Sequence, residues 1–245
     1  MNVRRDDWLS GIMAVDAFRV DADDDDVDVA RLAAALPGGR PSFCYAKIDA
    51  LDIAAARALG TAGFYLVEAH ITFDAEPACV ARACGAADSR RIEPVNATSA
   101  REVLRIAENC FRYNRFHLDP AIPRETANRI KREWIQSYAD GVRGDRLFVS
   151  FEGAEPAGFL AALVSDAGGE RLATIDLVGV AAERQRRGVG RALVGAFARH
   201  YADCGRLRVG TQAANLPSIQ MYERLGFTIW RTGYVMHRHA GAAGS

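Results

Sequence analysis

The segment Val180-Ala-Ala-Glu-Arg-Gln185-Arg186-Arg187-Gly188-Val189-Gly190-Arg191-Ala-Leu193 constrains the fold of this chain more than any other. A largely apolar run, Ile175 to Val180, leads into it and reads as a strand. Ala192, Leu193, Ala196, Phe197 and His200 follow at helical spacing. Between strand and helix lies a short loop of arginines and glycines. A helix start leaves its first N–H groups unpaired, and the helix dipole adds positive potential there. Such a loop suits a pyrophosphate.

Downstream stands a second motif, Asn215-Leu-Pro-Ser218-Ile-Gln-Met-Tyr222-Glu-Arg-Leu-Gly226-Phe227, followed by the run Ile229 to Met236. It reads as helix, turn and buried strand. The two motifs in this order resemble the acetyl-CoA-binding core of the GNAT superfamily of N-acetyltransferases. The resemblance implies an α/β chain with a mixed sheet and a GNAT fold from Arg91 to about His239. A smaller α/β domain is expected over 1–88, ahead of the GNAT domain at 89–245.

With 245 residues, 49% of them hydrophobic and 25% charged, the chain is long enough to bury one large core or two small ones. Its formal net charge is zero, which argues against nucleic acid or an anionic membrane as the main partner. Five cysteines without a CxxC pair support neither zinc nor a disulfide framework, so no metal is expected. No apolar stretch approaches the ~20 residues of a membrane span, and the cytoplasm is the expected location.

Along the first part, Asp21 to Asp28 reads as a solvated acidic loop and Leu36 to Pro41 as a turn. Ser42 to Ile48 reads as a strand, and Asp52 to Gly60 as a helix with Leu51, Ala55, Ala58 and Leu59 inward. Phe64 to Phe73 reads as another strand. Gly63-Phe64 here echoes Gly226-Phe227, each a helix, Gly-Phe turn and strand, so the amino-terminal unit reads as a degenerate half-repeat without a phosphate loop. Cys84 to Ser89 reads as a linker. Ser99-x-x-Glu102 has the form of a capping box opening a helix with Val103, Ile106, Ala107, Cys110 and Phe111 on one face. Pro123 suits the first turn of the next helix, with Ala127, Ile130, Trp134 and Tyr138 as its inner stripe. Arg146 to Phe151 and Ala157 to Val164 form a hairpin through Glu152-Gly153.

The resemblance implies acetyl-CoA as cosubstrate and a small-molecule amine as partner, and it is compatible with a homodimer. It places the acetyl carbonyl beside Leu177-Val178-Gly179-Val180, on a strand splayed by a bulge that Gly179 would tolerate, and the phosphates on Gln185, Arg186, Arg187, Gly188, Val189, Gly190 and Arg191. Tyr222 takes the position of the general acid: a phenol of pKa about 10 is protonated at neutral pH and can supply a departing thiolate of pKa about 8.5. Asn215 and Ser218 add polar contacts to the cofactor arm. His117 is the one candidate base, on chemistry alone, while solvent is the alternative proton acceptor.

On the acceptor side, Arg115-Phe116-His117 with Asp119-Pro120, the stretch Leu207 to Asn215, and Lys47, Asp52, Gly63-Phe64 and Val67-Glu68 resemble the dTDP-fucosamine (dTDP-4-amino-4,6-dideoxygalactose) acetyltransferase group of nucleotide-sugar enzymes. The chain departs from that group near its start, where Trp8 is present but Met13-Ala14 replaces a Phe-Gly pair. A nucleotide-linked amino sugar would use cations for its phosphates and an aromatic shelf for its base, which Arg112, Arg115, Tyr113 and Phe116 can offer. The other readings are acetylation of an antibiotic, a polyamine or a protein terminus, and a non-catalytic acyl-CoA sensor.

Overall fold

Among the described residues ten strands join edge to edge in one mixed sheet, and the two halves of the sequence interleave within it. The computed structural model describes residues 2–21, 29–36, 40–85 and 90–241. Most of the acidic run, the centre of the turn before Pro41 and the end of the linker at 86–89 lie outside the described residues.

The chain runs β1 (Asn2–Arg5), α1 (Asp7–Met13), β2 (Asp16–Asp21), α2 (Val29–Ala35), β3 (Ser42–Asp49), α3 (Ile53–Thr61), β4 (Tyr65–Ala75) and α4 (Pro77–Cys84). It continues with β5 (Ile92–Pro94), α5 (Ala97–Asn109), the short α6 (Arg115–Leu118), α7 (Arg124–Ala139), β6 (Arg146–Glu152), β7 (Glu155–Ala167) and β8 (Glu170–Val180). A 3-10 turn, α8 (Val189–His200), β9 (Arg206–Gln212), α9 (Leu216–Arg224) and β10 (Thr228–Ala240) complete it. The sheet order is β1-β2-β3-β10-β4-β9-β8-β7-β6-β5.

The internal echo is structural. Gly63 and Gly226 both take left-handed backbone, at φ 86° and 85°, where glycine carries no Cβ penalty. In each copy the phenylalanine N–H reaches back five residues, from Phe64 to the Leu59 carbonyl and from Phe227 to that of Tyr222. Leu59 therefore occupies in the first copy the place of Tyr222 in the second. Each copy's second strand inserts beside the other's first, giving the central order β3-β10-β4-β9, all antiparallel. That exchange brings amino-terminal side chains on β4 next to β9.

Several local expectations need correction. Leu51 is 90% exposed, because Asp52 caps α3 through the Ala55 N–H and the helix starts after it; Ala55, Ala58 and Leu59 are buried. The capping box of α5 is one turn earlier than expected: Asn96 is the cap, and Ser99 returns the bond to the Asn96 N–H. Pro123 stands at the cap of α7 and not inside its first turn. The bulge on β8 falls on Asp176, since Ala161 pairs with Leu177 and Ala162 with Ile175. Gly179 has a different reason: a Cβ there would stand 2.7 Å from both Cys110 Sγ and the Phe159 ring.

Helices α4 and α8 cover one face of the sheet, Leu193 and Phe197 of α8 packing in one core with Phe73, Leu160 and Val209, and α9 adds Tyr222 to it. Helices α5 and α7 pack over β6 to β8. A separate cluster joins Leu9 of α1, Phe43 of β3, Phe116 of α6 and Ile130 of α7, so α6 and α7 rest on amino-terminal elements.

Candidate active site

The parallel pairing of β8 with β9 runs only from Leu172–Arg206 to Ile175–Val209. Beyond it the strands part, leaving Leu177 to Val180 paired to β7 on one side and open on the other. The extra residue at the bulge starts this splay. Its carboxylate is anchored: Asp176 Oδ2 accepts from Trp134 Nε1 at 2.8 Å, Tyr138 Oη at 2.7 Å and Arg143 Nε at 3.0 Å. The bulge is thereby tied to α7.

The loop after β8 has the backbone of an anion nest. Arg186 (φ 62°) and Gly188 (φ 82°) are left-handed, turning successive N–H groups toward one side. Gly188 caps α8, whose first bond runs from the Ala192 N–H to the Gly188 carbonyl, so the N–H groups of Val189, Gly190 and Arg191 lie ahead of the helical ladder. Gln185 folds back onto the Val180 carbonyl at 3.2 Å. Arg186 and Arg187 are exposed, whereas Arg191 Nη2 bonds the Cys84 carbonyl of α4 at 2.9 Å and Arg184 pairs with Glu152.

Across the splay, Asn215 caps α9, accepting from the Ser218 N–H and donating to Thr211 Oγ1 at 3.2 Å. One turn on, Tyr222 is buried between Phe73 and Phe227, and that burial pushes its phenol well above the usual range.

Loop, free edge and Tyr222 line one cavity of about 960 Å³, which continues to Asn114, Arg115, Phe116, Lys131, Lys47, Glu68 and His70. Its far end is cationic. Arg115 stacks on Tyr45 at 3.9 Å and Phe116 at 4.3 Å, and its Nη1 is buried without a hydrogen-bond partner. Lys131 Nζ lies 4.7 Å from the Trp134 ring centre and 5.2 Å from that of Phe111. Burial first, then the Arg115 charge, lowers Lys131 to about 8. Lys47 reaches about 8 for the same two reasons, although it opens to the water of the cavity as a wall residue does. Facing these cations are Asp176, already taken by three donors, and Glu68, which accepts from His70 and Gln212.

His117 lies beside this cavity and does not line it. Its Nε2 meets Asn128 Oδ1 at 2.9 Å and its Nδ1 meets the Asn114 amide at 2.8 Å, and burial lowers its pKa. Nearby Asp119 holds a hub: Tyr65 Oη donates at 2.7 Å, His237 Nδ1 at 2.6 Å and His239 Nε2 at 2.9 Å. These donors and the Ala121 N–H outweigh burial and keep the Asp119 carboxyl far below its usual range. Cys110, on the cavity wall beside Gly179, is pushed up to about 12 by burial and stays a thiol.

His70, Lys131 and Asp176 escape sequence reasoning, and Lys47, Glu68 and Gln212 enter it only through the resemblance, because only the strand exchange and the bulge bring the six to one cavity. A usable signal existed in β3 and β4, where Lys47 and Glu68 interrupt otherwise strand-like segments.

The acetyltransferase (GNAT) family model matches residues 101–227, just over half of the chain. The chain belongs to the GNAT acetyltransferase family. Among curated relatives it is 37% identical to the mycothiol acetyltransferase of Pseudarthrobacter chlorophenolicus, over 31% of this chain and 29% of that protein. It is 26% identical to the spore coat polysaccharide biosynthesis protein SpsD of Bacillus subtilis, over 55% of this chain and 46% of that protein. The chain thus spans less than half the length of these relatives. Solved structures share the GNAT fold at low identity. A conserved protein of unknown function from Staphylococcus epidermidis superposes with a TM-score of 0.62 at 15% identity, covering 81% of this chain and 73% of that one. A GCN5-related N-acetyltransferase from Kribbella flavida gives 0.57 at 13%, covering 93% and 82%. No helix among the described residues of this GNAT chain is long and apolar enough to cross a membrane.

Proposed function

We propose that this protein transfers the acetyl group of acetyl-CoA to a primary amine on a small anionic acceptor, with a nucleotide-linked amino sugar as the acceptor the site fits best. The observation that carries the reading is the single cavity joining the loop at Arg186–Gly190 to the cations Arg115, Lys131 and Lys47. In it, the pyrophosphate takes the loop N–H groups. The pantetheine arm lies along the free edge of β8 from Leu177 to Val180, bonding as an added strand, with Asn215 and Ser218 opposite. Free N–H groups on that edge polarise the thioester carbonyl.

The amine attacks directly. Its nitrogen forms the C–N bond, the C–S bond breaks, and Tyr222 protonates the leaving sulfur. Burial keeps Tyr222 protonated until a thiolate develops beside it. At the cationic end, Arg115 with its unpartnered Nη1, Lys131 and Lys47 receive the acceptor's phosphates, while Phe111, Phe116 and Trp134 supply aromatic surface. The polysaccharide role in the name of SpsD is in keeping with a sugar acceptor. Residues 1–88 then act as a half-repeat that furnishes the acceptor wall.

A thiol-release assay with acetyl-CoA across an amine panel tests this reading. Nucleotide amino sugars should be acetylated, with the acceptor KM rising at high salt. Acetylation of polyamines or aminoglycosides, with every nucleotide amino sugar ignored, would overturn the acceptor class.

A further inference from the structure

We infer that His70, oriented by Glu68, is the residue that takes the proton from the acceptor amine, so the amino-terminal half supplies the base for chemistry centred on the carboxy-terminal motifs. The inference rests on the acetyl-transfer reading and adds a catalytic residue to it. Four observations carry it.

First, position. His70 pairs across β4–β9 with Gln212, and its ring lies over Gly210. A Cβ on Gly210 would stand 2.5 Å from His70 Nε2 and 2.8 Å from Cε1, so the glycine is what admits the imidazole. Gly210 directly follows Val209, the last β9 residue paired with β8. The imidazole therefore sits where β8 and β9 part, lining the same cavity as Asp176–Val180 and Tyr222.

Second, orientation. Glu68 Oε1 accepts from His70 Nδ1 at 3.0 Å and from Gln212 Nε2 at 3.3 Å. A carboxylate on Nδ1 fixes the tautomer with the proton there and leaves the Nε2 lone pair free, the arrangement by which an aspartate orients a catalytic histidine. Third, accessibility. Glu68 is buried to 4% side-chain exposure while His70 retains 27%, so the imidazole is the more open of the two to the cavity. Fourth, the other histidine considered is occupied. Both ring nitrogens of His117 are hydrogen-bonded and it does not line the cavity.

The proton balance closes. An ammonium acceptor gives one proton to His70 Nε2, which passes it to solvent, and the freed lone pair forms the C–N bond. As C–S breaks, sulfur keeps the electron pair and takes the Tyr222 proton. The second nitrogen proton restores Tyr222. Charged groups lining the same cavity as His70 include Glu68 on its own strand, Lys47 on β3, Arg115 on α6, Lys131 on α7, Asp176 on β8 and Arg208 on β9.

Two readouts on the full chain test the inference. Long-range ¹H–¹⁵N NMR at pH 8, with the His70 signals assigned by their loss in His70→Gln, should show the proton on Nδ1 and an unprotonated Nε2. Glu68→Gln should shift the tautomer balance. With dTDP-4-amino-4,6-dideoxygalactose or whichever panel amine is turned over, His70→Gln should lower kcat on the order of 10²- to 10⁴-fold. Acetyl-CoA affinity should stay within about twofold. A dominant Nε2–H tautomer, or a His70→Gln enzyme within about threefold of the parent kcat, would overturn the inference. If the parent turns over no amine, the acetyl-transfer reading fails instead, and the tautomer still decides how Glu68 orients His70.

Discussion

Replacing Lys131 with Met should make the protein more stable and less active. Lys131 is 5% exposed, and burial with the nearby Arg115 charge lowers it from 10.5 to about 8. At about 1.36 kcal/mol per unit, holding the ammonium in the folded chain costs about 3 kcal/mol. The sign follows from proton binding: between pH 8 and 10.5 the unfolded chain holds a proton that the folded one lacks, so this group's contribution improves as pH rises and is worst below 8. The aromatic rings of Trp134, Phe111 and Phe116 return about 1–2 kcal/mol as cation–π attraction. Methionine fills similar space without charge. Lys131→Met should therefore gain about 1–2 kcal/mol in urea denaturation at pH 7, with KM for an anionic acceptor raised about tenfold or more. Inorganic pyrophosphate should raise the Tm of the parent more than that of the variant. A variant destabilised by more than about 1 kcal/mol with an unchanged acceptor KM would refute the view that this buried charge is kept for a ligand.

Tyr222→Phe should lower kcat on the order of ten- to a thousand-fold with acetyl-CoA affinity nearly unchanged, read by steady-state kinetics and calorimetry. Gly188→Glu puts a side chain on a φ of 82° and an anion in the nest, and should abolish acetyl-CoA binding in calorimetry while circular dichroism stays native. His237 is fully buried, and burial lowers it to about 4 against 6.5. The unfolded chain binds the extra proton between those values, so stability should fall by up to about 3 kcal/mol as pH drops from 6.5 to 4. His237→Asn, which keeps a donor toward Asp119 but cannot titrate, should flatten that slope in denaturant titrations; an unchanged slope would assign it to other groups.

The carboxy-terminal half was the more legible in sequence, because its signals are local. Strand, nest and helix around Gly188, and helix, turn and strand around Tyr222, are each written in a dozen consecutive residues. The half-repeat was visible for the same reason, as Gly63-Phe64 echoes Gly226-Phe227. What no local pattern conveys is the strand exchange that sets β4 between β9 and β10. Glu68 and His70 meet Gln212 only through it, so the sequence drew attention to His117 in the neighbouring loop. Glycine's tolerance of distortion points to a bulge at Gly179, yet the bulge falls on Asp176, whose carboxylate finds three donors on or just after α7. Helical spacing points Leu51 inward, but the Asp52 cap starts the helix after it and leaves that side chain in solvent.

The most direct test of the account follows the acetyl carbon itself. Acetyl-CoA labelled with ¹³C at the carbonyl, mixed with the protein and dTDP-4-amino-4,6-dideoxygalactose, can be observed by carbon NMR. The thioester resonance should be replaced by one amide resonance on the sugar nucleotide, matched by one equivalent of free CoA thiol. Persistence of the thioester, or its conversion to free acetate or an ester with no amide formed on any amine of the panel, would contradict N-acetyl transfer in this cavity.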